Sequence, residues 1–179
     1  MDSSDLSNLI ALHGKTIYGF CRRLTNNRSE TDDLYQETFL KAMEMCNKID
    51  KNGNPKGFLI SIAVGIWKNS RRKYVRRKRI APAEELHEEL GSLYIPEDQS
   101  NPENAVLSKE LAITVQNAVN SLTDKLKLPL YMYYTAEMSN EEIASALKIP
   151  SGTVKSRLYK GRKKLKEILE LEVGTDGKI

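Results

Sequence analysis

The sequence predicts an all-α fold of two small helical domains joined by an acidic flexible linker, with a helix-turn-helix in the second. Three observations predict it. Each periodic apolar segment repeats at three- and four-residue spacing, and none alternates between turn dipeptides as a strand would. The stretch 80–102 breaks that periodicity with Pro82, Gly91, Pro96 and Pro102 among a run of acids. From Ser139 to Leu169 the chain spells two short helices around a tight turn, the second loaded with cations. With 179 residues, 40% of them hydrophobic, the chain can build one medium core or two small ones without staples.

Helices are expected over 3–25, 30–49, 56–78, 103–121, 123–135, 140–147 and 151–171. The first follows an acidic N-terminus with only a short apolar patch, unlike a secretory signal. In the second, Ser29, Glu30, Thr31 and Asp32 read as a capping box. Tyr35, Phe39, Ala42, Cys46 and Ile49 then form its core stripe, opposite Asp33, Glu37, Leu40 and Glu44. The third is apolar on two faces, Leu59, Ile62, Ala63 and Ile66 on one and Ile60, Val64 and Trp67 on the other, so it should be sandwiched. It then turns basic: Arg71, Arg72, Lys73, Arg76, Arg77, Lys78 and Arg79 form a density suited to a phosphate track. The polar loop 50–56 before it reads, on its own, as a connector. The longest apolar run of the chain, Phe58 to Trp67, is interrupted by Ser61 and too short to cross a bilayer.

Net charge is +4, yet the window 81–105 holds Glu84, Glu85, Glu88, Glu89, Glu97, Asp98 and Glu103 with no Lys or Arg, leaving +11 on the rest. Such asymmetry suits an anionic partner. Cys21 and Cys46 show no C-x-x-C or Cys/His spacing, which argues against zinc and for reduced thiols in a cytoplasmic protein.

In the C-terminal segment, Ser139 with Glu142 forms a capping box, and Ser151 after Pro150 can cap the next helix. Val154, Leu158, Gly161, Leu165 and Ile168 share the inner stripe of that helix. Ser156, Tyr159, Lys160 and Lys163 share its outer arc, with Lys155, Arg162 and Lys166 on the edge and Arg157 beside the buried stripe. From 155 to 166 there are seven cations and no acid, so a DNA-binding helix outweighs a merely solvated one.

Two stretches carry a family resemblance. Asp33-Leu34-Tyr35-Gln36-Glu37-Thr38-Phe39 resembles the D-L-x-Q-E-x-F motif of bacterial RNA polymerase sigma factors. Ile149-Pro150-Ser151-Gly152-Thr153-Val154-Lys155-Ser156-Arg157-Leu158 resembles the recognition helix of their extracytoplasmic-function class, and Leu122, Glu141, Glu142, Ile143 and Ala144 fit the same domain. The resemblance implies a region 2 domain over 1–79, an acidic linker over 80–104 and a region 4 domain over 105–179. It implies an alternative sigma factor, with promoter DNA and the clamp helices of the largest subunit of core RNA polymerase as partners. An anti-sigma factor is a further candidate partner.

Residue by residue, the resemblance implies polymerase docking by Asp33, Leu34, Gln36, Glu37 and Leu40. It implies minus-ten contacts by Asp50, Lys51, Asn52, Asn54, Lys56, Lys68, Asn69, Arg71, Arg72 and Arg76, the loop capturing a flipped base. Minus-thirty-five contacts would come from Ser151, Thr153, Lys155, Ser156, Arg157, Tyr159, Lys160, Arg162 and Lys163. No catalytic residue, metal, cofactor or membrane insertion is implied. The sequence also departs from the family. Gly65, four residues before Asn69, stands where Asn is frequent. Lys148 stands at a turn position usually Gly, Gly161 replaces a usual Ala, and Leu128-Pro129 falls in a usually more polar stretch.

Two other functions fit part of the sequence. A helix-turn-helix regulator acting without polymerase explains the second domain but assigns nothing to Asp33, Gln36, Glu37 or the basic third helix. A nuclease with Asp32, Asp33 and Glu37 around Mg²⁺ explains the acids, but a helix N-terminus favours acids anyway, and no His or second acidic segment converges with them.

Overall fold

The structure, a computed structural model, describes residues 3–45, 54–80 and 102–176. Among these, seven helices form and no strand: α1 (Ser3–Leu24), α2 (Arg28–Glu44), α3 (Pro55–Ile80), α4 (Pro102–Asn120), α5 (Asp124–Tyr134), α6 (Asn140–Leu147) and α7 (Ser151–Asp176). The acidic linker and the end of the expected second helix, with Cys46 and Ile49, lie outside the described residues.

The first three helices pack on one another, each touching both others, and α3 is buried along both of its apolar faces. Leu59, Ile60, Ala63, Val64 and Trp67 are buried against α1 and α2, where they meet Ile17, Phe20, Cys21, Phe39 and Ala42. Trp67 Nε1 donates to Leu24 O at 2.7 Å, satisfying a carbonyl that the last turn of α1 would otherwise leave unpaired. An aromatic ladder runs Tyr18, Tyr35, Phe39 between α1 and α2, with edge-on rings 5.5 and 5.0 Å apart. Burial of Cys21 pushes its thiol up to about 12, so it is an inert core group.

Helix α2 departs from expectation at its start. Its cap is Asn27, whose side chain accepts from Glu30 N at 2.8 Å, while Glu30 accepts from Asn26 N at 3.2 Å; Ser29 already lies inside the helix. The buried arc is also wider than the stripe of Tyr35, Phe39 and Ala42, because α2 is covered by both α1 and α3: Thr31, Leu34 and Thr38 are buried too. The two threonines cause no desolvation loss, since Thr38 Oγ1 donates to Leu34 O at 2.6 Å and Thr31 Oγ1 to Asn27 O at 2.8 Å.

In the second group, α5 and α6 pack on α7, and α4 covers α7 from another side. Leu128, Leu130, Met132, Ala136, Met138, Ile143, Val154 and Leu158 fill the space between them. The unusual Leu128-Pro129 pair is accounted for by this burial, with Pro129 carried inside α5. A polar network joins α4 to α5: Gln116 Nε2 donates to Tyr131 Oη at 2.6 Å, and Tyr131 donates to Asn120 Oδ1 at 3.0 Å.

The two groups also touch. Helix α3 packs against α6, and α1 meets α5.

Candidate nucleic-acid interface

The helix-turn-helix is built as its capping signals dictate. Ser139 accepts from Glu142 N at 3.2 Å and Glu142 accepts from Ser139 N at 2.6 Å, closing the capping box that starts α6. Lys148 ends α6 in the left-handed conformation, φ 54° and ψ 50°, the geometry for which the family's usual glycine is suited. Ile149 N returns to Ala144 O at 3.0 Å, and Thr153 N and Val154 N bond Pro150 O at 2.9 and 3.2 Å. Ser151 is therefore the first residue of α7 and not its cap.

Helix α7 buries Val154, Leu158 and Gly161 and half-buries Leu165 and Ile168, the stripe expected of it. Lys155, Ser156, Tyr159, Lys160, Arg162 and Lys163 are exposed, while Ser151, Thr153 and Arg157 are half-buried. Ser156 Oγ donates back to Thr153 O at 3.0 Å, which leaves its lone pairs facing outward. Arg162 is fixed more firmly than the lysines. Its guanidinium lies 5.4 Å from the Tyr133 ring and 5.9 Å from Tyr134, two rings themselves edge-on at 5.0 Å. In the sequence this aromatic platform leaves only one trace, the adjacent tyrosines of α5.

On α3, Lys68, Asn69, Arg72 and Arg76 fall on one arc that also contains Gly65. Arg71 is turned away from this arc. It lies 5.1 Å over the Trp67 ring and 2.8 Å from Asp124 Oδ1, so one of the anticipated phosphate ligands already has an acid. Asn54 caps α3, accepting from Gly57 N at 2.7 Å, and its Nδ2 donates to Glu142. Lys56 Nζ reaches Glu137 O at 3.4 Å. Asp50, Lys51 and Asn52 lie outside the described residues.

On α2, Asp33, Gln36, Glu37 and Leu40 are exposed, Leu40 at 61%. A shallow apolar groove lies beside them, lined by Ile10, Tyr35, Gln36, Phe39, Leu40 and Met43. Leu34 departs from its expected place: it is 6% exposed and supports this face from beneath, because α2 is covered from two sides. Asp32 accepts from Tyr18 Oη at 2.9 Å and pairs with Arg28 at 3.8 Å. Among the described residues no three of His, Cys, Asp and Glu come together as a cation site, and no helix is long and apolar enough to cross a membrane.

The exposed motif on α2, the basic arc of α3 and the helix-turn-helix thus lie on the elements that known proteins share with this chain. Residues 9–78 match sigma-70 region 2, and residues 113–165 match sigma-70 region 4. The first match gives the N-terminal half a place that a regulator acting without polymerase would leave unassigned. The chain is 32% identical over 174 residues to the ECF RNA polymerase sigma factor SigW of Bacillus subtilis, covering 94% of this chain and 90% of that one. It is 31% identical over 134 residues to the ECF RNA polymerase sigma-E factor of Escherichia coli, covering 74% and 70%. Its fold is similar to that of the sigma factor RpoE of Bartonella quintana in complex with the anti-sigma factor NepR, with a TM-score of 0.75, 20% identity and coverage of 93% and 97%. It is also similar to CnrH in complex with the cytosolic domain of CnrY, with a TM-score of 0.68, 17% identity and coverage of 95% and 90%. Two regions in one order, a relative matched along most of both chains and a shared all-helical fold establish that this chain belongs to the extracytoplasmic-function sigma factors of the sigma-70 type.

Proposed function

We propose that the two groups divide promoter recognition as domains of 1–79 and 105–179 joined by the acidic linker 80–104. The first holds core RNA polymerase through Asp33, Gln36, Glu37 and Leu40, with Leu34 bracing the helix from the core. The loop 50–56 and the arc Lys68, Asn69, Arg72 and Arg76, extended by Arg71, take the melted minus-ten strand. Helix α7 enters the major groove at the minus-thirty-five element, Lys155, Ser156, Tyr159 and Lys160 toward base edges and Arg162 and Lys163 toward phosphates. An anti-sigma factor is the further partner.

The observation that carries this reading is the outer arc of α7. It stands clear of a well-packed inner stripe, cationic along its length, on a helix-turn-helix whose turn geometry is complete. The test is transcription in vitro by core polymerase with this chain on a genomic promoter library. Transcripts from a small set of shared upstream elements are expected. Gln36→Ala with Glu37→Lys should abolish them, and polymerase retention by that variant in a pull-down would sink the docking face.

A further inference from the structure

We propose that a cleft lined by α3, α5, α6 and α7 binds a small amphipathic anion, one carboxylate, sulfonate or phosphate carried on an apolar body. The cleft has a volume of about 320 Å³, at the small end of the range in which proteins hold organic ligands. Two kinds of surface meet in it. Part of the lining is apolar: Leu128 and Pro129 of α5 are buried, and Leu147 of α6 and Ile149 of the following turn are half-buried. The rest is charged, with Lys68 of α3 and Arg157 of α7 both half-buried and Lys125 of α5 exposed.

The charge in this lining is unbalanced. Among the described residues, the Lys68 and Arg157 side chains have neither an acid nor a hydrogen-bond acceptor. The acid of the lining, Asp124, is already engaged, its Oδ1 lying 2.8 Å from Arg71 and 3.8 Å from Lys127. The cleft is therefore a positive recess with an apolar wall. Arg157 offers a planar fork that matches two oxygens of one anion, and Lys68 a point charge with rotating donors. A bare inorganic anion would leave the apolar wall wet, and a neutral apolar molecule would leave both cations unanswered. Only a molecule with both parts satisfies the whole lining. Lys68 and Arg157 also stand among the promoter contacts proposed above, but a phosphodiester strand makes no use of the recess formed by Leu128, Pro129, Leu147 and Ile149.

The test titrates the full chain with 8-anilinonaphthalene-1-sulfonate, an aromatic sulfonate that fluoresces on leaving water, with stoichiometry checked by calorimetry. One saturable site is expected. Lys68→Gln with Arg157→Gln should weaken it about tenfold, as loss of two charge-assisted contacts does. Leu147→Trp, which fills the cleft, should abolish it. Lys155→Gln with Lys160→Gln removes equal charge from the outer arc of α7 and should leave affinity within about twofold, since screening weakens distant charges. Circular-dichroism melts check that each variant folds. Should Leu147→Trp fail to fold, the Lys68 and Arg157 variant decides alone, because neither side chain has a partner to lose. Equal affinity of that variant and the unaltered chain, or equal weakening by the outer-arc control, would overturn the site. Octanoate and 1-naphthoate are then used as competitors. Displacement by either supports the site, and the one effective at lower concentration shows whether the apolar body is acyl or aromatic. Displacement by neither, or equally by inorganic phosphate, would overturn an amphipathic ligand.

Discussion

A Cβ on Gly161 would lie 3.0 Å from Leu130 Cδ1 and 3.3 Å from its Cγ. Leu130 is 3% exposed and held in the core, so a Cβ at this position requires it to give by a few tenths of an ångström against close packing. Gly161→Ala should therefore forfeit the gain of about 1 kcal/mol that alanine ordinarily brings to a helix interior, and lower the melting temperature. In a Leu130→Ala background the same change should become stabilising. A double-mutant cycle should give a coupling of about 1 kcal/mol or more, and additive effects would show that the two helices have slack.

Lys148 offers the opposite case. It is exposed, and its φ of 54° places a Cβ in the left-handed region. Lys148→Gly should stabilise the chain by about 0.5–1 kcal/mol, the strain relieved exceeding the extra freedom given to the unfolded state. Chemical denaturation checks the sign. Because the substitution leaves α7 untouched, promoter affinity of the holoenzyme should not change.

Gly65 sits on the basic arc of α3 with nothing within 4 Å of its missing Cβ. Gly65→Ala should raise stability by about 0.5–1 kcal/mol, as expected for glycine replaced in an open helix interior. Gly65→Asn, restoring the family's frequent residue beside Asn69, should increase promoter melting by the holoenzyme in a permanganate footprint. Unchanged melting would remove this position from the strand path.

These glycine and turn effects mark the boundary of what the sequence could convey. Helix number, the burial of both apolar faces of α3 and the inner stripe of α7 were legible because apolar periodicity directly encodes which face is buried. The start of α2 was misplaced because Asn27 and Ser29 cap equally well in isolation, and burial of Thr31 and Leu34 favours the earlier one. Leu34 entered the docking face only through the family motif, and one helix read alone does not reveal that two neighbours cover it. The contact between the two groups was invisible for the same reason: Arg71 and Asp124 are 53 positions apart, and nothing in their local pattern links them.

Tyr131 gives the fold a pH limit. Burial pushes its phenol up to about 12, the Gln116 hydrogen bond partly opposing this. In the unfolded chain a tyrosine titrates near 10. The protonated form is thus favoured by folding, and its contribution is fully present below about pH 10 and lost as pH rises through the folded value. Tyr131→Phe should cost about 0.5–1.5 kcal/mol at neutral pH, since Gln116 Nε2 and Asn120 Oδ1 lose the hydroxyl but keep each other at 3.2 Å. It should also flatten the alkaline decline in the urea midpoint; an equal decline in both proteins would assign the alkaline loss elsewhere.

The outer arc of α7 should divide into two kinds of contact. Lys155, Tyr159 and Lys160 project from its exposed face near the N-terminal half, where a recognition helix meets base edges. Lys155→Ala or Lys160→Ala should cost about 1–3 kcal/mol and relax preference at one base pair each. Arg162 is different in kind, because Tyr133 and Tyr134 fix its guanidinium at the flank of the helix and limit its reach. Arg162→Ala should weaken every promoter alike and lower the slope of log affinity against log salt by about 1, as loss of one phosphate contact does. Tyr133→Leu should reproduce part of that uniform loss by freeing the guanidinium without removing its charge. The measurement is holoenzyme affinity over all single-base variants of one upstream element, repeated along a salt series. A change of preference at a single position on losing Arg162, or uniform weakening on losing Lys155 and Lys160, would exchange the two roles.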